Sequence, residues 1–486
     1  MTSHKAIGIT GFGCYIPRRR LQRQSIVESN SWFDPNLKAL GKGERSIANW
    51  DEDSLTMGLE ASRRCLGDAA SLESLYFAST TAPYSERLNA GILVKALNLP
   101  SEQRAIDITS CQRSGTSALI DAMKALPEGS AKNSMVIASD KRRARCASVQ
   151  ELRFGDGAAA IRVGYDNPLA RFLGSASSTV DFTDHFRGEH DKFDYYWEDR
   201  WVRDEGYMKL VAPVLSKALQ ESQISAEDIT HFVLPCPYPR IADKIAKKVG
   251  LSASKVVDNL AGQVGDTGTP HGFLMLGDAL EQAQPGDKIL MGVLSSGVDA
   301  LVFEVTDHIH QMPKDGGLRS ALAHGQKDTN YMRWLAFNDM ITLEKGMRAE
   351  KDHRTALTVN YRNQDLILGL VGGRCTHCGT AQFPKARICV NPECGKMDSQ
   401  GDYSFASRSA EILSWSADHL TYTPDPPHHY GMITFKDGGR FMAEFTDVDP
   451  GTIDAGTAMN MVFRIKAKDE QRGFTRYFWK ATPTQP

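Results

Sequence analysis

Through the first three hundred residues, short and nearly continuous apolar runs alternate with longer stretches of helical period. Residues 5–11, 75–79 and 134–139 (SMVIAS) read as strands, and residues 54–66 and 88–97 as helices. The run Phe154-Gly155-Asp156-Gly157-Ala158-Ala159-Ala160-Ile161 is a glycine turn entering a strand of small residues. The rhythm then restarts, with helices over 206–221, 240–249 and 272–282 and strands over 231–234 and 288–294 (KILMGVL). Two similar βα halves with uninterrupted apolar strands predict a layered α/β fold with helices covering the sheets.

The pattern changes after about residue 306. Residues 307–348 are polar and methionine-bearing and read as a helical linker. Beyond Arg374 cysteines punctuate the chain, and from Ser404 onward short strands are separated by the turns Pro424-Asp425-Pro426-Pro427, Asp437-Gly438-Gly439 and Asp449-Pro450-Gly451. Evenly spaced short strands predict a small barrel or sandwich. The expected division is 1–165 and 166–306 for the two halves, 307–348 for the linker, 349–400 for the cysteine-bearing segment and 401–486 for the terminal β domain.

With 486 residues, the chain exceeds one ordinary core. A hydrophobic share of 41% and a charged share of 24% are those of a soluble globular protein, and a formal charge of −2 offers no electrostatic basis for binding nucleic acid. No apolar run reaches the length of a membrane span, and the opening residues read as strand and turn rather than a signal peptide. Nine cysteines, five of them scattered, argue against a disulfide framework and for a reduced, cytoplasmic setting.

Cys111 stands where a strand (105–110) meets a small-residue helix (115–126). Free backbone N–H groups and the positive end of the helix dipole point at such a junction, which favours a nucleophilic thiolate over a thiol. A buried core cysteine is the plainer alternative.

Cys375-Thr376-His377-Cys378 and Cys389-Val390-Asn391-Pro392-Glu393-Cys394 supply two thiol pairs, each followed directly by a glycine, Gly379 or Gly395. Four thiolates so spaced close a tetrahedron around structural zinc, with disulfides or an iron–sulfur cluster as the alternatives. His377, inside the first knuckle, reads as a neighbour of the metal rather than a ligand, and His428-His429 does not read as a metal site.

Three groups of residues together carry a family likeness. They are Gly43-Glu44-Arg45-Ser46-Ile47-Ala48-Asn49-Trp50-Asp51-Glu52-Asp53; the Cys111 segment with Phe154 to Ala160; and Gly265-Asp266-Thr267-Gly268 with Ser295-Ser296-Gly297. Over residues 5–306 the chain resembles the thiolase-fold condensing enzymes, in particular the archaeal and bacterial type of hydroxymethylglutaryl-CoA synthase, and more broadly ketoacyl synthase III. The resemblance implies a duplicated five-layer α/β/α/β/α fold, coenzyme A thioesters as substrates and acylation of Cys111. The tail resembles the rubredoxin-like zinc ribbon plus OB-fold domain that accompanies thiolase-fold subunits. Fusion in one chain fixes their ratio and raises their effective concentration.

At the places that carry chemistry, the chain departs from the pattern. Thr80 stands where the family has its acid/base glutamate, Pro235 where it has a histidine, and Asp266 where an asparagine polarises the thioester. A threonine hydroxyl cannot shuttle protons near neutral pH, and a carboxylate repels a developing oxyanion unless protonated. His271 and Asp266 are therefore the expected helpers of Cys111, with Thr80, Cys236, Tyr238 and Gly297 lining the substrate site. His231 reads as the outer end of its strand. Lys141-Arg142-Arg143-Ala144-Arg145 reads as a solvated face or a contact to coenzyme A phosphates, and Phe193-Asp194-Tyr195-Tyr196-Trp197 as channel lining or core.

Three functions remain open on the sequence. The first is an acyltransferase that makes or cleaves a carbon–carbon bond through acyl-Cys111, the thioester coming from coenzyme A or a carrier protein. The second is a cysteine-independent lyase in the same cavity, with Tyr238, Asp266 or His271 handling protons. The third is an acyl-CoA-binding scaffold working with another thiolase-family enzyme. The expected assembly is a homodimer.

Overall fold

A computed structural model describes residues 6–67, 72–313, 317–354 and 356–484, so Lys5, the first residue of the first expected strand, lies outside it. The chain divides into two compact units: Met1–Asn49, Asp53–Gly91 and Glu102–Tyr331 form one, and Trp50–Glu52, Ile92–Ser101 and Met332–Pro486 the other.

The first unit is built on nine strands: β1 (Gly8–Tyr15), β2 (Leu72–Ala78), β3 (Arg104–Ile108), β4 (Asn133–Asp140), β5 (Gly157–Gly164), β6 (Ala170–Thr179), β7 (His231–Val233), β8 (Lys288–Leu294) and β9 (Gly297–Val305). Their order is β7-β8-β9-β6-β1-β5-β4-β2-β3. β1 to β5 lie on one side of the sheet and β6 to β9 on the other, meeting where β1 and β6 share the register pairs Gly8↔Arg171 and Ile9↔Ala170. Parallel pairing of β4 with β2 and β2 with β3 explains their apolar runs, since a parallel sheet is covered on both faces.

Among the helices that pack against these strands are α1 (Ser54–Leu66), α2 (Ser114–Ala125) and α3 (His271–Gln282). Asp53 and Thr56 form a reciprocal capping box that starts α1. α3 is buried over Phe273, Leu274, Met275 and Leu276 and shares one core with residues of both halves, among them Val136, Ile161, Met291 and Phe303. The expected helix over 206–221 is a π-type segment, Val202–Val211, running into regular helix Ala212–Glu221. Residues 307–348 are not one helical linker: short helices Leu318–Ala323 and Tyr331–Phe337 flank the short strand Gln326–Asp328.

In the second unit, Val371–Cys375, Ala381–Gln382 and Gln400–Ser404 form a small sheet carrying the cysteine turns. Five antiparallel strands follow, in the order Arg440–Glu444, His428–Phe435, Ala410–Asp418, Ala458–Asp469, Phe474–Pro483. Phe445, just past the first of these, bridges Ala481 in the last and returns the sheet on itself as a barrel. Asp51, from the early segment Trp50–Glu52, is fully buried in this unit. It accepts from Lys480 Nζ at 2.9 Å and Thr446 Oγ1 at 3.1 Å, while Arg464 Nη2 lies 3.0 Å from Glu52 Oε1 and 3.1 Å from Asp447 Oδ2.

In the first unit, Glu151 carries a pH dependence. Burial pushes its carboxyl up to about 7, against the opposing pull of the Tyr331 hydroxyl, the Ala147 N–H and Arg45. The ordinary value is 4.5. Between 4.5 and about 7 the unfolded chain loses this proton before the folded one does, so its contribution to stability is present at low pH and lost as pH rises. Glu151→Gln is expected to flatten that decline, by on the order of 3 kcal/mol between pH 4 and 8. Denaturant midpoints of both proteins across that range check it; parallel curves would refute it.

Candidate active site

Cys111 lies half-buried in a turn between β3 and α2. Ser110 before it has φ 94°, a left-handed conformation that a residue with a side chain adopts at a cost of roughly 1–3 kcal/mol. The turn is held from both sides. Ser114 Oγ lies 2.6 Å from the Cys111 carbonyl and 2.9 Å from the Thr109 carbonyl, its one hydrogen shared between them, and sits 4.0 Å from Cys111 Sγ. Gln112 N–H donates to Ser295 Oγ at 3.2 Å, and Arg113 donates to the Ser295 carbonyl at 2.9 Å and pairs with buried Asp299 at 3.1 Å.

Ser295 leads directly into Gly297, which is thereby tied to the cysteine turn. Gly297 has φ 118°, and a Cβ there would stand 2.1 Å from the Ser178 carbonyl oxygen. Gly115 opens α2 against β4: a Cβ would meet Ala138 Cβ and the Thr269 carbonyl, both at 3.3 Å.

Thr80 and Asp266 are linked by a closed circuit of polar contacts. Thr80 donates through its N–H (2.8 Å) and Oγ1 (3.1 Å) to Asp140, the last residue of β4. Asp140 is fully buried and accepts also from Ser79, Thr81 and the Thr269 N–H. Gly268 N–H donates to Asp266 Oδ1 at 2.9 Å, and Arg142 Nη1 lies 3.3 Å from that same oxygen. Arg142 reaches on to Asp194 (3.3 Å) and the Tyr196 hydroxyl (2.7 Å), Asp194 pairs with Arg187, and Arg187 donates back to the Thr80 carbonyl.

The circuit explains the aspartate. Burial alone would raise the Asp266 carboxyl, but Arg142 foremost, then His271 and the Gly268 N–H, hold it below the ordinary value, so it is ionised and charge-paired. Arg142 does not lie on a solvated face: it is 2% exposed and stacks on the Phe154 ring at 3.7 Å. Arg142→Ala removes a buried guanidinium from between the half-buried carboxylates of Asp266 and Asp194 and is expected to cost about 3 kcal/mol, read by denaturant unfolding. A change below about 1 kcal/mol would show the circuit to be dispensable.

His271 heads α3 with both ring nitrogens engaged. Nδ1 lies 3.3 Å from the Thr267 N–H, and Nε2 lies 2.9 Å from the Asn259 carbonyl. Burial, more than Asp266 can offset, pushes its pKa down and keeps the ring neutral. Cys236 is buried, its thiol pushed up to about 12 by desolvation, and its carbonyl accepts from Asn259 Nδ2 at 3.1 Å. Tyr238 is raised by burial and then by Asp199, to which its hydroxyl donates at 3.3 Å. His231 lies 3.4 Å from Asp287 at the start of its strand.

Sequence reading named Arg142 and Asp194 only within the runs 141–145 and 193–197, and it missed Asp140 and the pair Asp184–His185. His185 Nδ1 lies 3.0 Å from Asp184, its Nε2 lies 3.1 Å from Gln112 Nε2, and its ring stacks on Tyr196 at 4.8 Å. The alternation of polar and aromatic residues over 184–197 was the available signal.

In the second unit, Cys375, Cys378, Cys389 and Cys394 bring four Sγ atoms within 4.8 Å of one another. Four converging thiols are the donor set of structural zinc. Among the described residues no helix is long and apolar enough to cross a membrane.

Three family descriptions match: the 3-oxoacyl-[acyl-carrier-protein] synthase III C terminal over residues 219–304, the ChsH2 rubredoxin-like zinc ribbon over 368–398 and the ChsH2 C-terminal OB-fold over 403–464. Hydroxymethylglutaryl-CoA synthase of Pyrococcus horikoshii is 27% identical over 316 residues, 63% of this chain and 89% of that protein. The Aeropyrum pernix enzyme is 28% identical over 64% of this chain and 88% of its own. Among solved structures, MvaS in complex with 3-hydroxy-3-methylglutaryl coenzyme A superposes with a TM-score of 0.59 at 18% identity, over 70% of this chain and 92% of its own. 3-Oxoacyl-(acyl carrier protein) synthase III from Pseudomonas aeruginosa gives 0.56 at 19%, over 62% and 99%. The chain therefore has a thiolase-like α/β fold and resembles hydroxymethylglutaryl-CoA synthases over about two thirds of its length, and it continues into segments that match a zinc ribbon and an OB-fold.

Proposed function

We propose that this protein is an acyltransferase acting on acyl-CoA-type thioesters, in which Cys111 takes the acyl group and a carbon–carbon bond is then made or cleaved. The observation that carries the reading is the cysteine turn: a strained residue, Ser110, presents a half-exposed thiol that Ser114, Gln112 and Arg113 hold in place. Kinship with hydroxymethylglutaryl-CoA synthases supports the thioester class. In the step, the Cys111 sulfur adds to the thioester carbonyl as its thiol proton passes to His271 Nδ1, the C–S bond to the donor breaks, and the donor thiolate takes that proton and leaves as a thiol.

Asp266 acts through Arg142, which cancels its charge near a developing oxyanion. His271 serves as a neutral imidazole that gives up the Thr267 contact to accept a proton at Nδ1. Thr80, Cys236, Tyr238 and Gly297 line the substrate site. Intact-protein mass after incubation with a panel of acyl-CoAs tests the reading: an acyl adduct mapping to Cys111 is expected, and turnover without one would overturn it.

A second reading is a cysteine-independent lyase in the same cavity, in which the Tyr238 hydroxyl, paired with Asp199 at 3.3 Å, handles the proton. Cytoplasmic homodimers fit either reading, because a two-fold pair is the commonest closed assembly. Light scattering should give about twice the 53.6 kDa chain mass, and a monomer at micromolar concentration would count against it.

A further inference from the structure

A cavity of about 300 Å³ opens in the first unit, lined by Thr183, Asp184, His185, Phe186, Tyr195, Trp197 and Trp201. Aromatic faces dominate its wall, and they are packed into a frame: Phe186 against Tyr195 at 5.4 Å, Tyr195 against Trp197 at 6.4 Å, and Trp201 stacked on Phe182 at 5.5 Å. Yet the faces are left open to solvent, with Trp197 57% and Phe186 53% exposed. Four large rings exposed around one hollow are a binding surface rather than core.

The wall also carries polar residues, and one of them touches the neighbour of the nucleophile. His185, seated on Asp184, contacts the Gln112 side chain, and Gln112 follows Cys111. The Asp184 carboxylate disfavours phosphate beside it, so the hollow suits the uncharged portion of a thioester rather than its nucleotide. Its volume sits at the small end of the roughly 300–1,000 Å³ range of ligand pockets, and flat aromatic walls favour a flat guest over a flexible chain, which loses rotamer entropy on ordering.

We infer that the cavity framed by Phe186, Tyr195, Trp197 and Trp201 binds a planar, ring-bearing acyl group of the thioester, its carbonyl end directed past His185 toward Cys111. The inference rests on the thioester reading above and extends it to the class of acyl group.

The full-length protein with Cys111→Ala binds thioesters without turning them over, so calorimetry with phenylacetyl-CoA, octanoyl-CoA and acetyl-CoA reads the cavity apart from the chemistry. Phenylacetyl-CoA should bind about tenfold or more tighter than either of the others, and adding Trp197→Ala should remove most of that preference. Octanoyl-CoA binding as tightly as phenylacetyl-CoA, or a preference that survives Trp197→Ala, overturns the inference. Loading of wild-type Cys111, followed by mass, separates the two proposals. An aromatic preference with no adduct keeps the cavity and removes the acyl-enzyme; an adduct with equal preference for all three does the reverse.

Discussion

Replacing Cys111 with alanine is expected to lower acyl transfer by a factor of about 10³ or more while shifting unfolding stability by no more than about 1 kcal/mol. The asymmetry follows from where the side chain sits. The turn is held by the Ser114 hydroxyl on backbone carbonyls, by Gln112 N–H on Ser295 and by Arg113 on Ser295 and Asp299, none of which uses the sulfur. The thiol itself makes one distant contact, 4.0 Å to Ser114 Oγ, so its removal deletes the nucleophile and little else. Thermal melting establishes that the variant is folded, and steady-state assay with the best acyl-CoA reads the loss. A folded variant that turns over near the wild-type rate would remove the acyl-enzyme and promote the lyase.

Stripping zinc from the second unit is the other large effect. The segment bearing Cys375, Cys378, Cys389 and Cys394 has only short strands, Val371–Cys375, Ala381–Gln382 and Gln400–Ser404, and little apolar mass of its own. Structural zinc contributes about 10 kcal/mol or more in comparable peptides, so its loss should unfold this segment. The first unit, with its own large core, should melt as before. Metal analysis should find one zinc per chain, and hydrogen exchange with and without chelator should show lost protection beginning near residue 370. A metal content near zero in protein purified without chelator, with that segment still protected, would refute the assignment.

Much of this architecture was legible in the chain because local pattern and final environment agree. The strand over 288–294 and the helix over 54–66 are found where apolar continuity and an Asp53 cap place them. The same agreement made the four-cysteine site readable, since ligand spacing is a local property. What could not be read is what long-range packing decides. Arg142 sits among basic residues that look like a wet surface, and only the approach of Asp194 and Asp266 turns it into a buried cation. The partners of Thr80 and His271 were likewise invisible, because Asp140 and Asn259 are remote in sequence. The likeness of 307–348 to a helical linker failed for the converse reason: its polar surface hides short elements pinned by contacts such as Gln326 with Arg19.

The buried charges around Asp51 bear on how the chain comes into being. Lys480 and Arg464 lie in the last two strands of the barrel, and their counter-ions at Asp51 and Glu52 precede them by more than four hundred residues. A barrel whose cations wait for so distant a partner has high contact order and closes late. Cutting the gene at residue 349 to express the tail alone would strand both cations in a low-dielectric interior without Asp51 or Glu52. The fusion is thus written into the interior of the terminal domain, and a tail produced on its own would need the early segment supplied in trans.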